Sequence, residues 1–140
     1  MKRLDWEARL AALIEARMDE PFRWGTHDCG LWGADAVEAQ TGIDFAAGFR
    51  GTYSDAAGAA EALRTQGAGT IVKTFDQHLK RVPPAFAQRG DIVLKGRGRT
   101  AAIGLCIGGE ALFVSDEGLV RVGRGEWSAA WRVAVRKWFS

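Results

Sequence analysis

The residues with the clearest chemical potential are contiguous: His27-Asp28-Cys29, set between the turn Trp24-Gly25-Thr26 and the helix-forming run Leu31–Ala39. Asp28 is suited to cap that helix, because its carboxylate can accept a bond from a free amide of the first turn. Cys29 then takes the first helical position, where unbonded amides and the helix dipole favour a thiolate. A cysteine so placed is a candidate nucleophile. It also needs a base to take its proton and return it to a leaving group. The chain holds two histidines, His27 and His78. His27 is the nearer candidate base, although a loop histidine bonded to backbone or solvent is the plainer reading. His78, within Asp76-Gln77-His78-Leu79-Lys80, reads as a surface residue. Consecutive residues rarely aim at one ion, and no second ligand cluster accompanies them. Neither a metal nor a cofactor is therefore expected.

The elements that must position Cys29 follow from periodicity and caps. Asp5 to Arg17 reads as a helix capped by Asp5, with Trp6, Leu10, Leu13 and Ile14 forming an apolar stripe. The Cys29 helix should end at Thr41-Gly42, where glycine suits a C-cap. An irregular connection through Arg50-Gly51-Thr52-Tyr53 leads to a third helix, Ala56 to Gln66, capped by Ser54 or Asp55, whose alanines suit close packing. A short helix is expected within Thr70–Leu79, ended by Pro83-Pro84. After Gln88 the pattern changes to strands: Asp91–Lys95, Ala101–Ile107 as a buried central strand, Ala111–Val114, Leu119–Val122 and Trp131–Trp138. Helices first and an antiparallel meander second make an α+β fold, with the N-terminal helices packed on the C-terminal sheet.

Composition bounds the function. The 140 residues suit one domain, 1–140, large enough to bury a core. A net charge of +2 from 19 basic and 17 acidic side chains does not indicate a nucleic-acid or membrane partner. Charges at Lys2, Arg3, Asp5 and Glu7 occupy the place of a signal peptide's apolar run, so export by that route is not expected. No apolar run approaches the length of a membrane span. Two cysteines make neither a metal pattern nor a disulfide framework, so both are expected as free thiols. The basic segment Lys95-Gly96-Arg97-Gly98-Arg99 lacks the order of a phosphate loop and reads as a solvated tip. Six tryptophans are many for this length, and surplus aromatics often anchor interfaces. Trp127 and Trp131, in a segment of turn character, are the interface candidates. At least one is expected to be exposed in the isolated subunit.

The order of motifs resembles the NlpC-type papain-like cysteine peptidases. That family's Trp-Gly turn and Asp-Cys-Ser-Gly-Leu nucleophile motif are similar to Trp24-Gly25 and Asp28-Cys29-Gly30-Leu31. Its Pro-Gly-Asp-Leu strand resembles Arg89-Gly90-Asp91-Ile92. Its His-Val-Gly-Ile-Tyr-Ile-Gly strand, which carries the base, resembles Ala102-Ile103-Gly104-Leu105-Cys106-Ile107-Gly108. The resemblance implies that Cys29 is the nucleophile position, that Ala102 stands where the catalytic histidine should be, and that only Ser115 could supply the third, orienting group. It further implies that Ala102 faces the Cys29 sulfur; an Ala102 on the far side of the sheet would sink the family assignment.

The whole chain, with Arg50-Gly51-Thr52-Tyr53 and Ala130-Trp131-Arg132-Val133, also resembles small phage proteins encoded among tail genes. This implies a structural or assembly component of a tail tip, built on a degenerate peptidase fold. Its partners would be other tail proteins, and it would reach the virion by assembly in the host cytoplasm. The alternative is an active cysteine hydrolase of cell-wall peptide, with Cys29 as nucleophile and His27 or His78 as base. A third option is nucleic-acid contact through Arg97 and Arg99.

Overall fold

The computed structural model describes residues 2–133. Four helices precede a sheet of six antiparallel strands, so the fold is α+β. Helix α1 spans Trp6–Arg17, but the Asp5 carboxylate before it bonds the Arg9 guanidinium (2.9 and 3.0 Å) rather than a backbone amide. Of the expected stripe, Leu10 alone is fully buried; Trp6, Leu13 and Ile14 lie at the margin of the same core.

Helix α2, Cys29–Thr41, is capped as its sequence dictates. Asp28 accepts a 3.0 Å bond from the Leu31 amide, and Gly42 closes the helix at φ 82°, a left-handed conformation that glycine adopts without strain. Helices α3, Ala56–Gln66, and α4, Ile71–His78, are capped by Asp55 and Thr70.

The strands are β1 Lys80–Val82, β2 Ile92–Lys95, β3 Ala102–Cys106, β4 Glu110–Ser115, β5 Gly118–Gly123 and β6 Trp127–Arg132, in the order β1-β6-β2-β3-β4-β5. The meander therefore holds only from β2 to β5. The last strand returns to pair with β2, and the unanticipated β1 extends the sheet beyond it. The expected strand Trp131–Trp138 begins earlier, at Trp127, and residues 134–138 lie outside the described residues.

Alternation along the strands divides the apolar residues between two faces. Ile92, Leu94, Ile103, Leu105 and Trp131 pack with Leu10, Trp32 and Phe75 of the helices. Val93, Cys106, Phe113, Val122, Trp127 and Ala130 form a second cluster on the opposite face. The Trp127 indole donates 3.3 Å to the Val122 carbonyl, so β6 reaches β5 over that cluster although three strands separate them in the sheet order.

This arrangement corrects the interface expectation. Trp127 is 6% exposed and Trp131 0%. The supposed turn segment is a single 3-10 turn, Arg124–Glu126, leading into β6. There a register shift between Ala129 and Trp127 against Leu94 and Lys95 breaks the alternation and puts the two rings on opposite faces of the sheet. Each indole N–H finds an acceptor, Trp131 at Asp76 Oδ1 (2.8 Å), so complete burial leaves neither donor unpaired.

Candidate functional site

A tight loop aims the cysteine. Arg23 and His27 exchange backbone hydrogen bonds of 2.9 and 2.8 Å, closing the turn Trp24-Gly25-Thr26. Gly25 sits at φ 80°, and a Cβ there would run into the Tyr53 carbonyl. Gly51 donates to the Gly25 carbonyl at 2.8 Å. The Arg50–Tyr53 segment is thus docked on the turn that precedes the cysteine.

Asp28 is the hub of this assembly. Its carboxylate accepts from the amides of Gly25 and Leu31, both at 3.0 Å, and from the Tyr53 hydroxyl at 2.6 Å. Burial and the neighbouring Asp28 carboxylate drive the Tyr53 pKa far upward, so the phenol is a permanent donor. The sequence marks Tyr53 only as part of the Arg50–Tyr53 segment that carries the second resemblance, and gives it no role at the site.

Cys29 opens the first turn of α2 against β3. Gly33, one turn on, makes that approach possible, because a Cβ there would come within 2.6 Å of the Ile103 side chain. Burial raises the pKa of the Cys29 thiol. The backbone amides of Ile103, Gly30 and Cys29 itself pull it down, and the Asp28 carboxylate adds to the rise. Desolvation wins, so the sulfur is held as a thiol at neutral pH despite its position at a helix start.

Among the described residues neither histidine is hydrogen-bonded to the Cys29 sulfur. His27 is fully buried, with its ring beside Trp32 (6.1 Å between centroids) and its Nδ1 3.9 Å from Glu20 Oε2; neither nitrogen has a hydrogen-bond partner. It belongs to a charged group behind the loop, in which Arg17 bonds Glu20 at 2.7 Å and Arg50 bridges Asp35 (2.8 Å) and Asp44 (2.9 Å). Burial lowers the pKa of His27 and raises that of Asp35. His78 is exposed and stacks on Phe45, with centroids 4.4 Å apart and planes 6° from parallel.

The residue expected to face the sulfur from β3 is a second correction. Ala102 packs with the cluster on the opposite face of the sheet, beside its cross-strand partner Lys95. The neighbouring Ala101 lines the space around Cys29 instead. The two faces are separated by one residue of register, and the sequence correspondence chose the wrong phase. Ser115 is also spent elsewhere. Its hydroxyl donates to the Gly118 carbonyl (2.7 Å) and accepts from the Glu117 amide, closing the β4–β5 turn.

Cys29 opens into a pocket of about 660 Å³, within the range of small-molecule sites. Phe45, Phe49, Ile71 and Phe75 form its apolar walls, and Trp24, Tyr53 and Arg99 also line it. On one side stands α3, which presents Ala56, Ala59, Ala60 and Leu63 at helical spacing. The alanines of α3 were expected to pack closely. Instead only Ala62 is buried, and the stripe fronts open space because methyl groups are too short to fill the gap to the phenyl rings.

Both cysteines are free. Among the described residues no three His, Cys, Asp or Glu side chains are grouped to hold a metal, and no helix is long and apolar enough to cross a membrane. No curated protein matches the chain. Residues 1–133 match the profile of the family described as Domain of unknown function (DUF6950), and the chain belongs to that family.

Proposed function

We propose that the chain is a non-catalytic binding component, with the pocket over Cys29 as its recognition site. The observation that carries this reading is the isolation of the sulfur. Of its candidate bases, His27 makes no hydrogen bond to it and His78 stacks on Phe45, and burial favours its protonated form. A thiol without a base cannot hand a proton to a leaving amine.

The setting we propose is a phage-type tail, and its support is the sequence resemblance across Arg50–Tyr53 and Ala130–Val133. The order of elements, a cysteine helix laid on an antiparallel strand, suits an NlpC-type ancestry. Ala102, however, lies on the far side of the sheet, the outcome that sinks that assignment, and we propose no such descent. The offset at Ala101 and Ala102 weighs against a residue-by-residue match. The binding reading does not depend on that ancestry.

One observation favours the competing hydrolase reading: the backbone at Cys29, Gly30 and Ile103 acts to lower the thiol pKa against the effect of burial, and so would steady negative charge there. Incubation with cell-wall stem peptides and, separately, with iodoacetamide decides between the two. The binding reading predicts no peptide cleavage and alkylation at neutral pH no faster than that of a free cysteine. Cleavage that disappears in Cys29→Ser and in His27→Gln or His78→Gln would overturn it. Mass spectrometry of purified tail particles tests the setting, with the chain expected at stoichiometric level; particles lacking it would remove the tail assignment.

A further inference from the structure

Several of the polar side chains lining the pocket are already committed. Thr74 Oγ1 donates to the Thr70 carbonyl (2.6 Å) and accepts from the Ala68 amide (3.0 Å). The Tyr53 hydroxyl donates to Asp28, which also accepts two backbone amides. The first amides of α2 face the sulfur. What remains is the weakly polar thiol, the single indole N–H of Trp24, and Arg99, an exposed cation of the Gly98–Thr100 turn with no ion-pair or hydrogen-bond partner among the described residues.

That inventory selects a ligand class. A peptide threaded into the pocket would bring amide N–H and C=O groups that need partners, and each one left unpaired carries a desolvation penalty. A hydrocarbon chain carries none, and it gains from every methylene placed among Phe45, Phe49, Leu63 and Phe75. Arg99 suits an anionic head, since a guanidinium pairs with carboxylate or phosphate by charge-assisted hydrogen bonds.

We propose that the pocket binds a single hydrocarbon chain with an anionic head, the chain lying between α3 and the phenylalanines and the head at Arg99. A free fatty acid and a lysophospholipid share this chemistry. The inference rests on the pocket being a binding site rather than a catalytic one.

The test is calorimetric titration of the purified chain with octanoate, decanoate and dodecanoate below their micellar concentrations. A parallel arm uses a lysophosphatidylglycerol and a hydrophobic tripeptide. Affinity should rise about fourfold per added methylene until the pocket is full, as expected for burying a CH₂ group. Tighter binding of dodecanoate than of the lysolipid assigns the free acid, and the reverse assigns the lysolipid. Arg99→Gln should weaken dodecanoate at least fivefold and leave decanol unchanged. Ala59→Phe, which fills the gap from the α3 side, should abolish binding of both. If Ala59→Phe does not fold, the chain-length series and Arg99→Gln decide alone. No binding, affinity independent of chain length, or stronger binding of the tripeptide would overturn the proposal. These outcomes are separate from the fate of the binding reading itself. Stem-peptide cleavage by Cys29 would sink that reading whatever the fatty acids do, and failure of the fatty acids without cleavage would sink only the ligand class.

Discussion

The hydroxyl of Tyr53 donates a 2.6 Å hydrogen bond to Asp28 Oδ2, and this contact fastens the connection before α3 to the cap of the cysteine helix. Asp28 already holds the amides of Gly25 and Leu31, so a single carboxylate organises the turn, the helix start and the distant loop. Tyr53→Phe removes the donor and leaves the ring. It should cost about 1.5–3 kcal/mol, the usual worth of a hydrogen bond to a charged group. Asp28→Ala removes all three bonds and the cap, and should cost more. Chemical denaturation measures both; a Tyr53→Phe protein as stable as wild type would show that the loop is held by packing alone.

The burial difference along α1 gives a prediction of rank. Leu10 is fully buried among the helices and the sheet, whereas Leu13 lies at the margin. Leu10→Ala should destabilise by about 2–5 kcal/mol, the range for truncating a packed leucine, and Leu13→Ala by less. Equal losses, or the reverse order, would place the helix in a different rotation against the core.

His27 gives the fold an acid sensitivity. Its pKa is lowered in the folded chain by burial, against the opposing pull of Glu20, Asp35 and Asp28 and with the help of Arg17. Between that lowered value and the ordinary 6.5, the unfolded chain binds more protons than the folded one. Stability is therefore complete above the ordinary value and is lost as pH falls through the window beneath it. Asp35, raised by burial, has the opposite sign, its contribution being lost as pH rises above the ordinary carboxylate value of 3.8, so the difference between wild type and His27→Phe isolates the histidine. Thermal unfolding from about pH 7.5 to 5.5 should show Tm falling in wild type and a flatter profile in His27→Phe. A Tm that rises on acidification would contradict the burial of a neutral imidazole.

The parts of this structure that were legible in the sequence are those specified by neighbouring residues. Asp28 and Gly42 bracket α2 and Asp55 starts α3, because capping chemistry acts within a few residues. What escaped depends on long-range pairing. Trp127 and Trp131 resembled surface residues because Gly125 suggests a turn, while their burial comes from β6 crossing back to β2. The alternation of Ala101 to Ile107 was readable, but which phase meets the helices is set by packing across the sheet. Hence Ala101 lines the pocket where Ala102 was expected. The pocket was equally hidden, since alanines at helical spacing fit a close contact as well as an open gap.

The central claim is that Cys29 is a protonated thiol with no base, and the titration of its sulfur tests that claim most directly. Thiolate formation is followed by ultraviolet absorbance as pH rises. Subtracting the same titration of Cys29→Ser removes the contribution of Cys106. The account predicts that the Cys29 thiolate appears only above the ordinary thiol value of 9.0, with a midpoint unchanged by His27→Phe or His78→Gln. A thiolate already present at neutral pH, and lost on replacing either histidine, would contradict it and restore Cys29 as a nucleophile.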